Sequence, residues 1–264
     1  MRKLIVLAVT AATMAGAGVA LAGQAATSPN GRFIDLNVAV TPPVAGTAKA
    51  PRGVGVSFDS FTGNRINGNT PSNNTSVTVR FSKGFKYNGA MFPSCAISIV
   101  PTAVSTCPKS ARISTGSAEA AVAGVGGAPP SFIPATLNAY NGKPLPGTKA
   151  ITLIVIASIN GKPAAENDFT VKQQPTGPYG LAFTSIQFPN LPPAAFDITK
   201  FSLKFSDRTI THKVKGKSVK VHLVQAPTTC TGSWQFAQTD TFSDAAPLTA
   251  PLTRSGPQGA GCGS

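Results

Sequence analysis

Short runs of apolar residues, some alternating with polar ones and some apolar throughout, recur along the chain between clusters of Gly, Pro and Asn. A period of two rather than 3.6 is the signature of strands. On this pattern about thirteen strands are expected: Leu36 to Val40, Val54 to Phe58, Val77 to Phe81, Ile97 to Val100, Ser117 to Val122, Thr136 to Tyr140, Ile151 to Ile159, Phe169 to Gln173, Leu181 to Phe188, Phe201 to Phe205, Thr209 to Val214, Ser218 to Val224 and Trp234 to Thr239. Past residue 22 no stretch holds helical periodicity for long, and the 23 prolines would interrupt most helices.

Ile151 to Ile156 is nearly all apolar, which predicts a strand covered on both faces. Phe201, Leu203 and Phe205 alternate with Ser202 and Lys204, which predicts one wet face. Two Asn-Gly-Lys-Pro segments, Asn141 to Pro144 and Asn160 to Pro163, flank the apolar strand. Asn-Gly suits the positive φ angles of hairpin turns, so both are expected to reverse the chain. With no sustained repeat period, the expected architecture is an all-β sandwich, Greek-key or jelly-roll-like. A single domain from 23 to 264 is expected, divided near Ala118 to Pro130 if there are two lobes. The tail from Ala245 to Ser264, rich in Pro, Gly and small residues, reads as loop.

The N-terminus sets the compartment. Arg2 and Lys3 precede the apolar stretch Leu4 to Ala15, and Ala20-Leu21-Ala22 has the form that signal peptidase cuts, so residues 1–22 read as a signal peptide. After cleavage no second apolar run of spanning length remains, and the protein is expected to be secreted, in the cell envelope or outside it. In such a setting Cys95, Cys107, Cys230 and Cys262 read as two disulfides. Their two clusters favour Cys95 with Cys107 and Cys230 with Cys262. The shorter loop would contribute about 3 kcal/mol.

The run Phe92-Pro93-Ser94-Cys95, followed by Cys107-Pro108 and the stretch to Ala118, resembles a pattern in uncharacterised secreted proteins of actinobacteria. In those a Pro-x-Cys element precedes a Cys-Pro-x-x-Ser-x-Ile-Gly-Thr-Gly-x-Ala run, and Ser114 here stands at the first of its glycines. Cys230-Thr231-Gly232-Ser233-Trp234 and the final cysteine are also similar. The resemblance implies a secreted β-rich fold with local disulfides, and no particular activity.

A formal net charge of +14 with only 12% charged residues means that acids are scarce, which favours anionic cell-wall or surface polymers as partners. Export argues against nucleic acid as a physiological partner. Lys213, Lys215, Lys217 and Lys220 surround Gly216 on a predicted hairpin, with Lys200, Lys204 and Arg208 upstream, and form a candidate anion-binding site. Lysines on an exposed hairpin also block strand addition by another chain. Trp234, the sole tryptophan, is the candidate platform for carbohydrate, though a tryptophan beside a disulfide is more often core.

Catalytic chemistry finds little support. Neither G-x-S-x-G nor S-x-x-K occurs. His212 and His222 fall at opposite parity on the two strands of the hairpin, which disfavours a shared metal. Glu166 and Asp168, alternate residues of one strand, are the closest acidic pair and the only opening for a glycosidase. The expectation is therefore a non-catalytic sandwich, with no cofactor and no metal, that binds or builds at the envelope. A carbohydrate-binding module is the alternative and a divergent hydrolase the third reading.

Overall fold

The computed structural model describes residues 24–28, 31–43, 45–47, 49–64, 74–98, 104–122, 130–148, 150–174, 177–186, 196–214, 216–228, 233–242 and 247–255. These form sixteen strands and two single-turn 3-10 helices, Gly89–Met91 and Lys109–Ala111. The strands are β1 (Gln24–Thr27), β2 (Arg32–Thr41), β3 (Gly55–Asn64), β4 (Asn74–Ser82), β5 (Lys86–Tyr87), β6 (Arg112–Val122), β7 (Ser131–Gly142), β8 (Ile151–Ile159), β9 (Lys162–Gln173), β10 (Tyr179–Ile186), β11 (Phe196–Phe205), β12 (Thr209–Val214), β13 (Lys217–His222), β14 (Val224–Gln225), β15 (Ser233–Phe242) and β16 (Leu248–Ser255). Among the described residues there is no α-helix, and no helix is long and apolar enough to cross a membrane.

Twelve strands form one antiparallel sheet in the order β1-β2-β3-β11-β6-β7-β8-β9-β10-β4-β15-β16. Strands β6 to β10 run as a meander, and β11 then crosses back to lie beside β6, the kind of long return that Greek keys use. Strand β16 lies against β1 and β2, so the sheet curls until its two edges approach. The all-β expectation holds. The strands from β1 to β16 pair without interruption, as one large and nearly barrel-shaped antiparallel sheet.

Alternation dictates the inside. Along β2, Ile34, Leu36, Val38 and Val40 are buried while Phe33, Asp35, Asn37 and Ala39 turn outward. The same parity puts Val56 and Phe58 of β3, Leu203 and Phe205 of β11, Leu153 and Val155 of β8, and Phe236 of β15 in one continuous core. Phe81 meets Phe85, Phe183 and Phe236 at centroid distances of 5.3 to 5.9 Å, close enough for edge and tilted ring packing. Each such ring, fully buried, is worth about 2–3 kcal/mol of transfer free energy.

Strand β8 is covered on both faces, as its composition predicts: Thr152 to Ile156 are all buried. Its inner residues join the barrel core. Its outer pair, Ile154 and Ile156, packs with Cys95 and Ala111 beneath a segment that runs over the outside of the sheet. The Cys95–Cys107 disulfide closes that segment, with Cα atoms 5.2 Å apart. Cys230 and Cys262 lie outside the described residues, so the second bridge is not part of the described structure; residues 1–22 fall outside it as well.

Three expectations are corrected. Asn160 and Gly161 do turn the chain between β8 and β9, with φ of 51° and 75°. Asn141 and Gly142 do not; they end β7, and the reversal comes later, around Gly147. Asn141 is fully buried and its amide donates to the carbonyls of Gly89 (2.8 Å) and Pro93 (3.1 Å), while its Oδ1 accepts from the Tyr87 hydroxyl (2.8 Å). Ile97 and Ser98, expected in a strand, belong to the crossing segment, where the Ser98 N–H donates to the Ser105 hydroxyl rather than to a ladder. Ala118 to Val122 complete β6 between β7 and β11, in line with the strand expected from Ser117 to Val122, and residues 123–129 of the stretch named for a division into lobes lie outside the described residues. Part of the tail read as loop is β16. Its Pro251 sits opposite Ala237 of β15, and an edge strand tolerates proline because one side needs no ladder hydrogen bond.

Candidate functional site

The lysine-bearing hairpin forms as expected. Strands β12 and β13 pair only with each other, as a two-stranded sheet apart from the main one, and Gly216 supplies the positive φ of 78° at the tip. Lys213, Lys217 and Lys220 are exposed; Lys215 is outside the described residues. Register divides them. Lys213 faces Ser218 and Lys220 faces Thr211 on one side, whereas Lys217 shares the other side with His212 and Val219. The lysines therefore surround the hairpin rather than line one face of it.

Of the upstream cations, Lys204 alone is exposed without a described ion pair or hydrogen bond. The Arg208 guanidinium donates to the carbonyls of Ser110 and Arg112, tying the hairpin base to the start of β6. Lys200 pairs with Glu119 at 2.9 Å. The histidines occupy opposite faces, His212 opposite Val219 and His222 opposite Thr209. His222 Nδ1 lies 2.9 Å from Asp207 Oδ1, and both sit directly over Gly53, where any side chain would collide with them. Among the described residues no group of three or more His, Cys, Asp or Glu could hold a metal ion.

Trp234 is corrected as a sugar platform. It is 1% exposed, and its ring packs edge-on to Phe85 with centroids 5.1 Å apart. No face is left for a ligand.

Glu166 and Asp168 do share one face of β9, the outer one, beneath the disulfide-closed segment. Ser105 donates to Glu166 through its backbone N–H and through its hydroxyl (2.7 Å). Asp168 has no exposed surface, and neither of its oxygens is met by a hydrogen-bond donor. Ile154 of β8 and Ile186 of β10 stand beside it in register. Burial first, and then the neighbouring Glu166 carboxylate, push its pKa from 3.8 up to about 8. A proton held there finds an acceptor in Glu166. The two carboxyls do not flank a cleft, and one without accessible surface cannot reach a glycosidic oxygen.

A groove that sequence reasoning missed lies on the outer face of the sheet, at the opposite end of β11 from the hairpin. Phe33, Phe61, Thr62, Glu119, Phe132, Thr199 and Lys200 line it, and its volume is about 390 Å³. Phe61 and Phe132 are 43% and 46% exposed, unusual for phenylalanine. Register builds the floor: Phe61 of β3 opposes Lys200 of β11, which opposes Glu119 of β6. A β-bulge between Ile198 and Lys200 gives Thr199 its place there. Its hydroxyl shares its one proton between the Glu119 backbone carbonyl (3.1 Å) and Glu119 Oε1 (3.2 Å), while Lys200 donates to the other carboxylate oxygen at 2.9 Å. The available signal was parity: Phe33 stands out of step with the apolar series Ile34 to Val40, and Phe61 out of step with Val56 and Phe58.

Fold and surface together define a disulfide-bearing, all-β protein built on one curled antiparallel sheet, with a basic hairpin at one end and an aromatic groove towards the other. Compared with known proteins, the chain matches no family model, no curated protein and no solved structure.

Proposed function

We propose that this chain is an exported, non-catalytic binding protein of the cell envelope or its surroundings, and that the β12–β13 hairpin engages an anionic polymer. One observation carries the reading: Lys213, Lys217 and Lys220 stand exposed on a hairpin that forms a sheet of its own, and the run from Thr209 to His222 contains no carboxylate. With Lys215 the run has four lysines. A phosphate or carboxylate group within a Debye length of about 8–10 Å meets an attraction that no nearby acid on the hairpin offsets. Export is supported by the leader-like residues 1–22, by the resemblance of the Cys95 to Ala118 region to secreted proteins, and by the disulfide. The same reading includes a second bridge, Cys230 with Cys262, and a barrel flat enough for its opposite walls to pack as sandwich sheets do.

The test is retention on long-chain polyphosphate and on purified envelope material across a salt series. If four lysines each displace a counterion, the logarithm of affinity falls against the logarithm of salt with a slope of about −3. Changing all four lysines to glutamine should abolish retention. Salt-insensitive retention, or retention unchanged in that variant, overturns the reading. So does a variant that keeps its retention but self-associates, since the lysines would then be guarding strand edges.

A further inference from the structure

The groove over β3, β11, β6 and β7 is distinct from the hairpin in place and in chemistry. We propose that it binds an uncharged saccharide chain, with Phe61 and Phe132 as stacking walls and the Glu119–Lys200 pair as the polar floor.

Charge argues for an uncharged occupant. The lining holds one cation and one anion, 2.9 Å apart, and is neutral overall even on a chain of net charge +14. Polarity argues against a purely apolar one. An acyl chain would strip water from Lys200 and Glu119, whose side chains are 51% and 27% exposed, and return no hydrogen bond to either. A polyhydroxylated ring meets both conditions. Its C–H faces suit the phenyl rings, while its hydroxyls donate to Glu119 and accept from the Lys200 N–H groups left over from the pair.

Organisation and size agree. Glu119 is fixed in advance by Thr199 and Lys200, so binding orders little that is not already ordered. Phe61 and Phe132 stand three strand spacings apart and two residues out of row, since Phe132 pairs with Ala121 and not with Glu119, which makes about 16 Å, enough for a chain of several sugar rings to lie obliquely across the sheet. A volume of 390 Å³ falls within the range of ligand sites but is open, as suits an internal stretch of polymer rather than an enclosed monomer.

The test is titration calorimetry of the full mature chain with maltohexaose, cellohexaose and chitohexaose. At least one should bind with a dissociation constant of about 10 μM to 1 mM, unchanged between about 0.05 and 0.5 M salt. Phe61→Ala and Phe132→Ala should each weaken binding about tenfold or more, as should Glu119→Gln. Because both rings are exposed, the variants should keep the parent's unfolding transition, which separates lost binding from lost folding. The hairpin glutamine variant should bind sugar as the parent does, so this site and the anion site fail independently. Absence of heat with all three hexamers at about 5 mM overturns the proposal. Binding untouched by either phenylalanine change also overturns it, as does concentration-dependent dimerisation that Phe61→Ala abolishes without any sugar binding, which would assign the groove to a second copy of the chain.

Discussion

Replacing Asp168 by asparagine tests the buried carboxyl directly. In the unfolded chain this group titrates near 3.8, and in the fold it is pushed up to about 8 by burial and by Glu166. Between those values the folded protein holds a proton that the unfolded chain has released. The associated stability is therefore complete below about pH 4, declines as pH rises, and is gone above about pH 8. The rise from 3.8 to about 8 corresponds to a ceiling of about 5–6 kcal/mol, at 1.36 kcal/mol for each pH unit between the two values. Asparagine is neutral at every pH, and its amide can donate to Glu166 as the protonated acid would. The variant should match the parent near pH 4, lead it slightly at pH 5 and exceed it by several kcal/mol near pH 9. Denaturant unfolding of the oxidised protein at several pH values, followed by the fluorescence of the buried Trp234, gives the comparison. Parallel stability curves for the two proteins from about pH 5 to pH 9 would refute the reasoning.

Cys107→Ser should cost about 3 kcal/mol and expose the segment over Ile154 and Ile156 to protease; equal cleavage of the oxidised parent and the variant would show that the bridge does not hold the segment down. Gly53→Ala places a methyl group against His222 and Asp207 and should destabilise by about 1–3 kcal/mol, read as a lowered denaturation midpoint; an unchanged midpoint would mean that the hairpin base yields freely. Asn141→Ala and Asn160→Ala change the same residue in the same tetrapeptide and should differ in outcome. The first orphans the carbonyls of Gly89 and Pro93 and should cost about 3 kcal/mol, while the second meets only a strained φ of 51° and should cost about 1 kcal/mol, both read from denaturant unfolding.

The period of two was enough to read the strands of the barrel wall other than the edge strands β1 and β16, because one side of each faces a continuous core and alternation records that directly. It also located the hairpin, whose turn depends on a local glycine. What stayed hidden depends on contacts distant in sequence. Nothing in the Asn-Gly-Lys-Pro tetrapeptide says that Asn141 will be claimed by carbonyls some fifty residues earlier while Asn160 is left to turn. Pro251 and its small neighbours read as loop, since only the pairing of β16 with β15 reveals an edge place where proline is harmless. The groove was hidden because it draws on five strands whose adjacency is not sequential: β11 must return between β3 and β6 before Lys200 can meet Glu119. Trp234 was a candidate because single-residue reasoning cannot tell an exposed ring from one packed on Phe85.

Strand direction alternates all the way round the curled sheet. Strand β16 ends at the rim where β11 ends and the lysine hairpin begins, while the short β1 starts with Gln24 opposite Leu36, midway along β2 and one residue from the row that holds Asp35 and Phe61. A tether placed directly after Ser255 would therefore emerge on the rim of the hairpin, and one placed directly before Gln24 beside the strands that carry the aromatic groove. The attachment point of an affinity tag thus decides which surface a binding assay can sample.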